Sequence, residues 1–518
     1  MPVRITLYDY AYETLAIQYL ASILMQEGFP ASVHYDLSMD MDYLDQDFFL
    51  TKWLSLTPLE AAKGILEHKP EVVGFSLLTP FYVKLRRIIR AVKELAPEVV
   101  VVAGGPHPTL VPAGTLENHD IDFIFVGEAD FSLPNFLRLL ENEGLEKVRS
   151  LPKEAMPGVW NRFGEEIRDR GYGPFRGNLD EVPFPEKDAY YLRNPSLRLL
   201  YTATCSRGCV FSCTYCNSST LRKIYKEECG ERYFRVRSVG NVIEELRQAK
   251  ERYRPKYVMF LDNLFAPQIS WLRKFAEEYP REVGLPFFCE TNPMSHTRES
   301  LELIAKAGCV LLQFGFQSAN EEVRRTILGR RESNDRIREL VVAARELGMF
   351  VCVDHIANLP GEVRAHLDEA VALYQEIRPN WINLGFLQYY PESDIIEIAI
   401  SRRFMTREEV LPIFRGESQS SFRLLARSGL GEFYHTLPIR LFAAFKLPPR
   451  MGNWVIGLLE HRLFTRSLSW SASLFIYASR IFYAFTDRRD FLIRHHIVRN
   501  LYVIKNLALE KWRLHGGH

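Results

Sequence analysis

The stretch LLYTATCSRGCVFSCTYCNSS (199–219) joins a short apolar run to a loop that carries three closely spaced cysteines. The run has the length and composition of a buried strand. In the loop, Cys209, Cys213 and Cys216 follow the spacing Cys-x3-Cys-x2-Cys. Three thiolates this close can bind three irons of a cubane, whereas a structural zinc site usually takes four ligands. The spacing therefore predicts a [4Fe–4S] cluster whose fourth iron is open to a ligand from outside the protein.

Five more strand-like runs follow the cysteine loop, and helical patterns separate them. The strands are predicted at 256–262, 285–291, 309–317, 350–358 and 381–390, and the helices at about 239–253, 267–278, 298–307, 333–347 and 362–377. With the run at 199–205 these elements make six βα units. This spacing predicts a partial (β/α) barrel over 199–395, with its site at the C-terminal ends of the strands.

The N-terminal region, residues 1–145, shows a similar alternation. Apolar strand-like runs lie at 3–9, 31–36, 71–78, 98–105 and 121–130. Continuous apolar runs with helices between them are typical of a parallel sheet covered on both faces. We therefore predict a doubly wound, Rossmann-like α/β domain. No GxGxxG follows the first strand, so the dinucleotide fingerprint is missing.

Three predicted strand ends in this domain lead into loops that suit a ligand: SLLTP (76–80), GGPHPT (104–109) and VGEAD (126–130). Ligands of open α/β sheets bind at the carboxyl ends of the strands, and glycine there lets a ligand approach the backbone closely. The candidate binding residues in these loops are Ser76, Leu77, Thr79, Gly104, Gly105, His107, Thr109, Gly127 and Glu128.

The remaining segments are predicted to connect or cover the two domains. Residues 146–198 are Pro-rich and irregular apart from a hairpin around Phe163-Gly164, so we expect a connector. Residues 396–518 are mostly helical, and from 420 onward 15 Lys and Arg stand against 5 Asp and Glu. Apolar residues recur at helical steps from Trp454 to Phe485. Two interpretations stay open: a helical cap on the barrel, and a basic aromatic surface that contacts a membrane or a large apolar substrate.

The composition excludes several classes of protein. The 518 residues carry 65 Lys and Arg against 64 Asp and Glu, and the net charge of +1 argues against a nucleic-acid binder. Eight cysteines are too few for a disulfide scaffold, and 47% hydrophobic residues argue against disorder. The first residues lack the apolar core of a secretory signal, and no apolar run is long enough to span a membrane. We expect a cytoplasmic protein whose clustered cysteines serve metal chemistry.

The cysteine loop resembles the signature of the radical S-adenosylmethionine superfamily, CxxxCxxC with an aromatic residue before the last cysteine, here Tyr215. The resemblance implies that the open iron binds S-adenosylmethionine. One electron, from a donor such as flavodoxin or ferredoxin, then cleaves the sulfonium to give a 5′-deoxyadenosyl radical. Cys205 is expected to be a buried strand-end thiol rather than a spare ligand. The other cysteines are expected to be packing residues: Cys229, Cys289, Cys309 and Cys352.

Later barrel segments extend this resemblance. FLDNLF (260–265) resembles the family's VxFxDDxF strand, which implies that Asp262 lies near the methionine amino group. LLQFGFQSANEEVRRTILGR (311–330) resembles GxESGSxxVLxxxxR, which implies ribose and carboxylate contacts for Gln317 and Ser318. HIANLPGE (355–362) resembles the strand and turn near the adenine, which implies contacts for Asn358 and Pro360.

The domain order resembles that of the cobalamin-binding radical S-adenosylmethionine enzymes. The likeness covers about residues 1–400 and is nearest to the subgroup with an anaerobic Mg-protoporphyrin ester cyclase and hopanoid and bacteriochlorophyll methylases. It implies that the loops at 76–80, 104–109 and 126–130 bind cobalamin. The DxHxxG motif that supplies a histidine to cobalt in methionine synthase is absent, so cobalamin is expected base-off without a histidine from that motif.

The resemblance implies methylation of an unactivated carbon of a large apolar or anionic small molecule, such as a lipid, polyprenoid or tetrapyrrole. Peripheral membrane contact through the C-terminal region fits a lipid-like substrate. Three alternatives stay open: cobalamin-assisted oxidation or ring closure without methyl transfer, loss of cobalamin binding, and a noncatalytic cobalamin or iron–sulfur sensor. The catalytic residues themselves are not identified by the sequence.

Overall fold

The computed structural model of the chain describes residues 2–10, 13–37, 56–416, 430–460 and 489–514, together with Ser479, Phe482 and Asp487. Most of the stripe predicted from Trp454 to Phe485 lies outside the described residues.

The first sheet has seven strands in the order β2-β1-β3-β4-β5-β6-β7. They are β1 (Ile5–Tyr10), β2 (Ala31–Asp36), β3 (Val72–Ser76), β4 (Val100–Gly104), β5 (Phe123–Phe125), β6 (Val159–Phe163) and β7 (Glu166–Arg168). β1 pairs in parallel with both β2 and β3, so the strand order reverses beside it. The predicted doubly wound sheet is confirmed, and its switch point is the place where such sheets bind ligands.

Helices cover both faces of this sheet. They are α1 (Leu15–Gln26), α2 (Pro58–Leu66), α3 (Tyr82–Leu95), α4 (Pro106–Leu110), α5 (Pro112–Leu116), α6 (Ser132–Glu143) and α7 (Leu145–Ser150). Alternate residues of β4 enter two different cores, because successive side chains of a strand point to opposite faces. Val100 and Val102 pack with Leu24 of α1, whereas Val101 packs with Ile89 of α3. Burial on both faces explains the unbroken apolar run.

The hairpin in the predicted connector belongs to the first sheet. β6 pairs antiparallel with β5, and β7 pairs antiparallel with β6. Arg170, just beyond β7, is buried and donates hydrogen bonds to the carbonyl oxygen of Val159 at 2.7 Å and to that of Leu151 at 2.9 Å. Residues 146–198 therefore extend the sheet before the chain continues through α8 (Asp188–Arg193).

The second sheet has six parallel strands in sequence order along the chain. They are β8 (Leu200–Ala203), β11 (Tyr257–Phe260), β12 (Phe287–Thr291), β13 (Cys309–Gln317), β14 (Phe350–Ala357) and β15 (Trp381–Phe386). A small antiparallel ribbon of β9 (Ser206–Arg207) and β10 (Arg235–Val236) follows β8. No pairing joins β15 to β8 among the described residues, so the predicted partial barrel is confirmed.

Helices pack along the outside of this barrel. They are α9 (Asn217–Glu228), α10 (Val239–Tyr253), α11 (Ile269–Glu282), α12 (Arg298–Ala307), α13 (Glu321–Thr326), α14 (Asn334–Glu346), α15 (Arg364–Ile377), α16 (Asp394–Ser401) and α17 (Arg407–Phe414). The main barrel helices match the predicted ranges to within a few residues. Cys229 differs from its prediction, because it follows α9 and is only partly buried.

The described C-terminal helices α18 (Gly431–Lys446), α19 (Pro449–Leu458) and α20 (Phe491–Leu514) pack on both domains. The Tyr434 hydroxyl donates a hydrogen bond to Glu362 at 2.6 Å beside the open edge of the barrel. The Phe491 ring stacks on Tyr257 at 4.1 Å, and Val503 enters a core of the first sheet. These contacts support the cap interpretation. No described helix is both long enough and apolar enough to cross a membrane.

Candidate functional site between the sheet and the barrel

The predicted cluster cysteines lie together on the loop between β9 and α9. Cys209, Cys213 and Cys216 are each partly exposed. Among the described residues, no three His, Cys, Asp or Glu side chains converge as ligands of a single ion. A cubane does not require such convergence, because each of its thiolates binds a different iron. Three accessible thiols on one short loop therefore fit a [4Fe–4S] cluster.

Backbone constraints hold this loop in place. Gly208 adopts φ +88°, and a Cβ there would lie 2.5 Å from the carbonyl oxygen of Tyr233, so only glycine fits. The Thr214 amide donates to the carbonyl oxygen of Leu328 at 3.1 Å. Cys216 is the N-cap residue of α9. The local sequence thus places each cysteine at the barrel mouth.

Arg330 supports the cluster loop, and the sequence analysis gave it no role. One of its guanidinium nitrogens lies 3.8 Å from the Cys213 sulfur and 3.3 Å from the Tyr215 hydroxyl. Burial raises the pKa of Cys213, and the Arg330 charge offsets part of that rise. Arg330 also pairs with Glu332, so the cation is fixed in place. A fixed cation beside a cluster ligand favours the thiolate form.

Asp262, which is expected to contact S-adenosylmethionine, lies beside the start of the cysteine loop. Its carboxylate is buried and accepts hydrogen bonds from the Thr204 hydroxyl at 3.0 Å, the Cys205 amide at 3.1 Å and the Ser206 hydroxyl. The chain that leads to the cysteine loop is thus tied to the end of β11. Asn263, the next residue, is exposed and lines the cavity described below.

The other residues expected at the S-adenosylmethionine site lie at the ends of β13 and β14. Gln317 and Asn358 adopt φ of +72° and +62°, a conformation that costs free energy in residues other than glycine and is concentrated at functional sites. Ser318, Asn358 and Pro360 are buried. Gln317 is also buried, and its side-chain oxygen has no hydrogen-bond partner among the described residues.

A cavity of about 390 Å³ lies between the carboxyl ends of the first sheet and the start of the barrel. The predicted binding residues in its lining are Ser76, Gly104, Gly105, Thr109, Gly127 and Glu128. Leu15 and Tyr19 of α1 line its inner part, and Arg207 and Gly208 bring it next to the cysteine loop. The cavity thus lies between the predicted cobalamin loops and the start of the cysteine loop.

Leu77, Thr79 and His107 lie outside the lining of this cavity, although the sequence analysis placed them in the binding set. All three are buried. The Nδ1 atom of His107 lies 3.1 Å from the Thr79 hydroxyl, and its ring packs against Tyr82 at 4.4 Å. Burial lowers the pKa of His107 to about 4, so the imidazole is neutral at pH 7. The short helix α4 turns this ring away from the cavity, which sequence spacing alone did not reveal.

Two features of the lining fit cobalamin. Gly105 has φ +99°, and a Cβ there would lie 3.1 Å from the Leu77 carbonyl oxygen. Deeper in the sheet, a Cβ on Gly74 would lie 2.7 Å from the Leu7 side chain. Glycine is therefore required at both positions by the packing of the chain around the lining. A large ring system with an apolar body and polar edges suits such a lining.

An interdomain clamp, formed by Glu128, Asp130, Arg207 and Arg235, joins the cobalamin loop to the cluster loop. Arg207 lies 2.7 Å from Asp130 and 3.3 Å from Glu128. Arg235, its register partner on the ribbon, donates to Glu128 at 3.2 Å and lies 3.5 Å from the Phe175 ring centroid. Sequence analysis assigned Glu128 to the cofactor, whereas both of its oxygens contact arginines. The pairing of Glu128 with the two arginines could not be predicted from the sequence, because they are distant from Glu128 along the chain.

Comparison with known proteins agrees with both halves of the site. The sequence model of the Radical SAM superfamily matches residues 204–374, and that of the B12 binding domain matches residues 2–137. An uncharacterized methyltransferase of Pyrococcus horikoshii is 25% identical over 80% of this chain and 86% of its own length. Cytidylyl-2-hydroxyethylphosphonate methyltransferase of Streptomyces wedmorensis is 24% identical over 77% of this chain and 79% of its own length.

The fold has a close counterpart among solved structures. OxsB, a cobalamin-dependent S-adenosylmethionine radical enzyme with aqua-cobalamin and S-adenosylmethionine bound, superposes with a TM-score of 0.65 at 14% identity. The superposition covers 98% of this chain and 79% of OxsB. With both domains matched, the cofactors are a [4Fe–4S] cluster, S-adenosylmethionine and cobalamin. The chain belongs to the cobalamin-binding radical S-adenosylmethionine enzymes.

Proposed function

We propose that the protein transfers a methyl group to an unactivated carbon of a large, mainly apolar small molecule. The observation that carries this proposal is the single cavity that runs from Ser76 and Gly104 to Gly208, next to Cys209. A substrate carbon in this space has access to groups held by both domains. Such proximity converts a reaction between separate molecules into one within a single complex.

When bound, the cluster and S-adenosylmethionine supply a radical that removes a hydrogen atom, and cobalamin supplies the methyl group. The residues of the chain position these groups and exclude water. Tyr19, Tyr225 and Tyr233 line the passage between the domains. The interdomain clamp fixes one loop against the other, and Arg330 holds the mouth of the barrel beside Cys213.

Methyl transfer is preferred to oxidation or ring closure because the two relatives described above are named methyltransferases, and the cyclases that also match are less similar, at 22% and 21% identity. The apolar residues on the barrel side of the cavity, Leu221 and Leu261, favour a substrate with an apolar body.

Anaerobic product analysis tests this proposal. Protein loaded with cluster and hydroxocobalamin is incubated with S-adenosylmethionine that carries a CD3 group, reduced flavodoxin or ferredoxin, and a panel of lipids, polyprenoids and tetrapyrroles. We expect a product in which CD3 replaces hydrogen, with 5′-deoxyadenosine formed in parallel. An unlabelled product with fewer hydrogens would assign oxidation or ring closure instead. No turnover of S-adenosylmethionine would favour a sensor.

For the C-terminal region we propose a structural cap that also contributes substrate contacts. The support is the packing of Tyr434 beside the open barrel edge and of Val503 in the first sheet. Flotation with anionic liposomes at low salt tests the alternative, peripheral membrane contact. The cap predicts that the intact protein stays unbound, whereas co-flotation that salt abolishes would favour membrane contact.

A further inference from the structure

The inner face of the barrel carries a layer of polar side chains. On β14, the Nδ1 atom of His355 lies 3.0 Å from the hydroxyl of Tyr374 on α15, so His355 faces the outer helices. Neighbouring residues of a strand point to opposite faces, and Asp354 therefore points into the barrel. Asp354 is in register with Gly315 of β13 and Asn383 of β15. Its carboxylate thus belongs to the lumen of the barrel.

Amide side chains hold Asp354 in this position. Gln313 donates hydrogen bonds to both carboxylate oxygens at 3.0 Å, and Asn383 donates to one of them at 3.0 Å. Glu290 of β12 is in register with Gln313, so it lies in the same layer. Asn383 is exposed, and Glu290 and Asp354 are only partly buried. The open side of the barrel therefore gives a ligand access to both carboxyl groups.

These two carboxyl groups, the lumen pair, lack a cation of their own. The Glu290 carboxylate has no hydrogen-bond partner among the described residues, and the charges that act on it are those of Asp354 and Asp262. Arg330 is the cation that acts on Asp354, but it is already paired with Glu332. Burial and the two acidic neighbours raise the pKa of Glu290 to about 8. Acidic groups kept close together without a counterion are costly to ionise, and a positively charged ligand removes that cost.

A second polar group points to a ligand at the same place. The Gln317 side chain lies over Gly315, since a Cβ on Gly315 would be 2.8 Å from the Gln317 side-chain nitrogen. Gln317 is 8% exposed, and its side-chain oxygen has no hydrogen-bond partner among the described residues. Gly315 is the register neighbour of Asp354, so the Gln317 amide, whose nitrogen is the atom over Gly315, lies beside the lumen pair. Buried polar atoms normally have partners, and an unpaired one needs an explanation.

Asp262 differs from Glu290, because its carboxylate has a purely structural role. It accepts hydrogen bonds from the chain at Thr204, Cys205 and Ser206, and little of it is exposed. The Glu290 carboxylate accepts no such bonds among the described residues. A structural function therefore does not account for Glu290.

We propose that Glu290 and Asp354 bind a positively charged nitrogen of the substrate in the barrel lumen. This inference rests on the proposed function, because it identifies the substrate class of the proposed reaction. It selects a substrate whose body is apolar and whose anchored end is a protonated amine. An anionic end is disfavoured there, since two carboxyl groups would repel it.

Equilibrium dialysis with a matched pair of probes tests the inference. Phenethylamine carries an ammonium group, and 2-phenylethanol has a hydroxyl in its place. Each is dialysed against protein loaded with cluster, cobalamin and S-adenosylmethionine, and the bound probe is quantified by mass spectrometry. We expect phenethylamine to bind about tenfold more tightly, which is the scale of one charge-assisted hydrogen bond.

Substitutions assign this preference to the lumen pair. Glu290→Gln and Asp354→Asn should each reduce it, and the double variant should abolish it. Glu290→Asp should keep most of it, because the charge remains. Glu339→Gln is the matched control, since Glu339 is an exposed carboxylate of α14 that pairs with Arg336. Circular dichroism and iron content verify that each variant is folded and loaded.

Three results would overturn the inference: equal binding of the two probes, a preference that survives in the double variant, or loss of S-adenosylmethionine affinity in place of probe affinity. The last would assign the pair to the cofactor. Formation of 5′-deoxyadenosine and transfer of the CD3 group from labelled S-adenosylmethionine are measured in the same wild-type preparation. If both proceed while the probes bind equally, the inference fails and the proposed function stands. If neither proceeds, the proposed function fails.

Discussion

The interdomain clamp and the lumen pair use the same side chains in opposite surroundings. In the clamp, Glu128 and Asp130 contact two arginines, so their charges are neutralised within the protein. In the lumen pair, Glu290 and Asp354 face each other's charge, and only neutral amides donate to Asp354. The difference shows that carboxylates paired with arginines within the protein stabilise the packing of the two domains. Those without internal cations are free to bind a ligand.

Removing the cluster ligands, which lie on the loop between these two regions, should have the largest effect on activity. We expect the triple variant Cys209→Ala/Cys213→Ala/Cys216→Ala to lose the cluster and all cleavage of S-adenosylmethionine. Electron paramagnetic resonance and 5′-deoxyadenosine analysis measure both. Cys205→Ala is the matched control, since Cys205 is fully buried beside Asp262 and should leave both signals largely intact. Activity in the triple variant would contradict the assignment of the cluster.

Breaking the clamp should have the next largest effect. In Arg235→Gln the Glu128 carboxylate loses its main cation in a partly buried place, a change that costs roughly 3–5 kcal/mol when the pair is fully buried and less here. We expect a lower free energy of unfolding and weaker cobalamin binding. Urea unfolding and titration with hydroxocobalamin measure them.

The second substitution Glu128→Gln should restore part of the stability lost in Arg235→Gln, because it removes the uncompensated charge. Arg247→Gln, at an exposed pair with Glu244, is the control and should change neither property. If the Arg235 variant kept full stability and affinity, the clamp would have no positioning role.

Gly105 tests the shape of the cobalamin loop without changing its charge. Gly105→Ala combines a positive φ with a Cβ 3.1 Å from the Leu77 carbonyl oxygen. Gly28→Ala has the matching φ of +86° but no atom within 4 Å. Both should lose about 1 kcal/mol of stability from the backbone alone. Only Gly105→Ala should also weaken cobalamin binding in a titration. Equal affinity for cobalamin in the two variants would show that this loop does not contact the cofactor.

The lumen pair should have an effect that is visible in the pH dependence of stability. The pKa of Glu290 rises from 4.5 to about 8, so between these values the folded protein holds a proton that the unfolded chain has released. The stability that is present below pH 4.5 is therefore lost as the pH approaches 8. Asp354 and Asp262 are the charged groups that face Glu290.

Glu290→Gln removes this titration, so its Tm should fall less than that of the wild type between about pH 5 and pH 8. Calorimetry measures the two curves, and Glu339→Gln should follow the wild type. Identical curves for wild type and Glu290→Gln would show that Glu290 ionises normally, and the contrast with the clamp would disappear.

Local sequence predicted the fold and the cofactor loops, because their signals are contiguous. The unbroken apolar run of Val100–Val102 requires burial on both faces, and the cysteine spacing lies within one loop. The hairpin β6–β7 was assigned to a connector, since its strands are short and carry charged residues.

The paired side chains could not be predicted in the same way. Arg235 and Glu128 are separated by 107 positions, and only the folded chain brings them together. Glu290 and Asp354 share a face through strand register, which no local pattern encodes. His107 belongs to a cofactor loop by sequence, but the turn into α4 points its ring toward Thr79.

Transfer of label from S-adenosylmethionine to cobalamin tests the central claim most directly, because it requires both cofactors in one cavity. Protein loaded with cluster and cobalamin is reduced anaerobically with CD3-labelled S-adenosylmethionine, and cobalamin and 5′-deoxyadenosine are analysed by mass spectrometry. We predict CD3-labelled cobalamin together with 5′-deoxyadenosine in the same sample. 5′-Deoxyadenosine with unlabelled cobalamin would contradict methyl transfer and leave a radical enzyme that does not use its cobalamin as a methyl carrier.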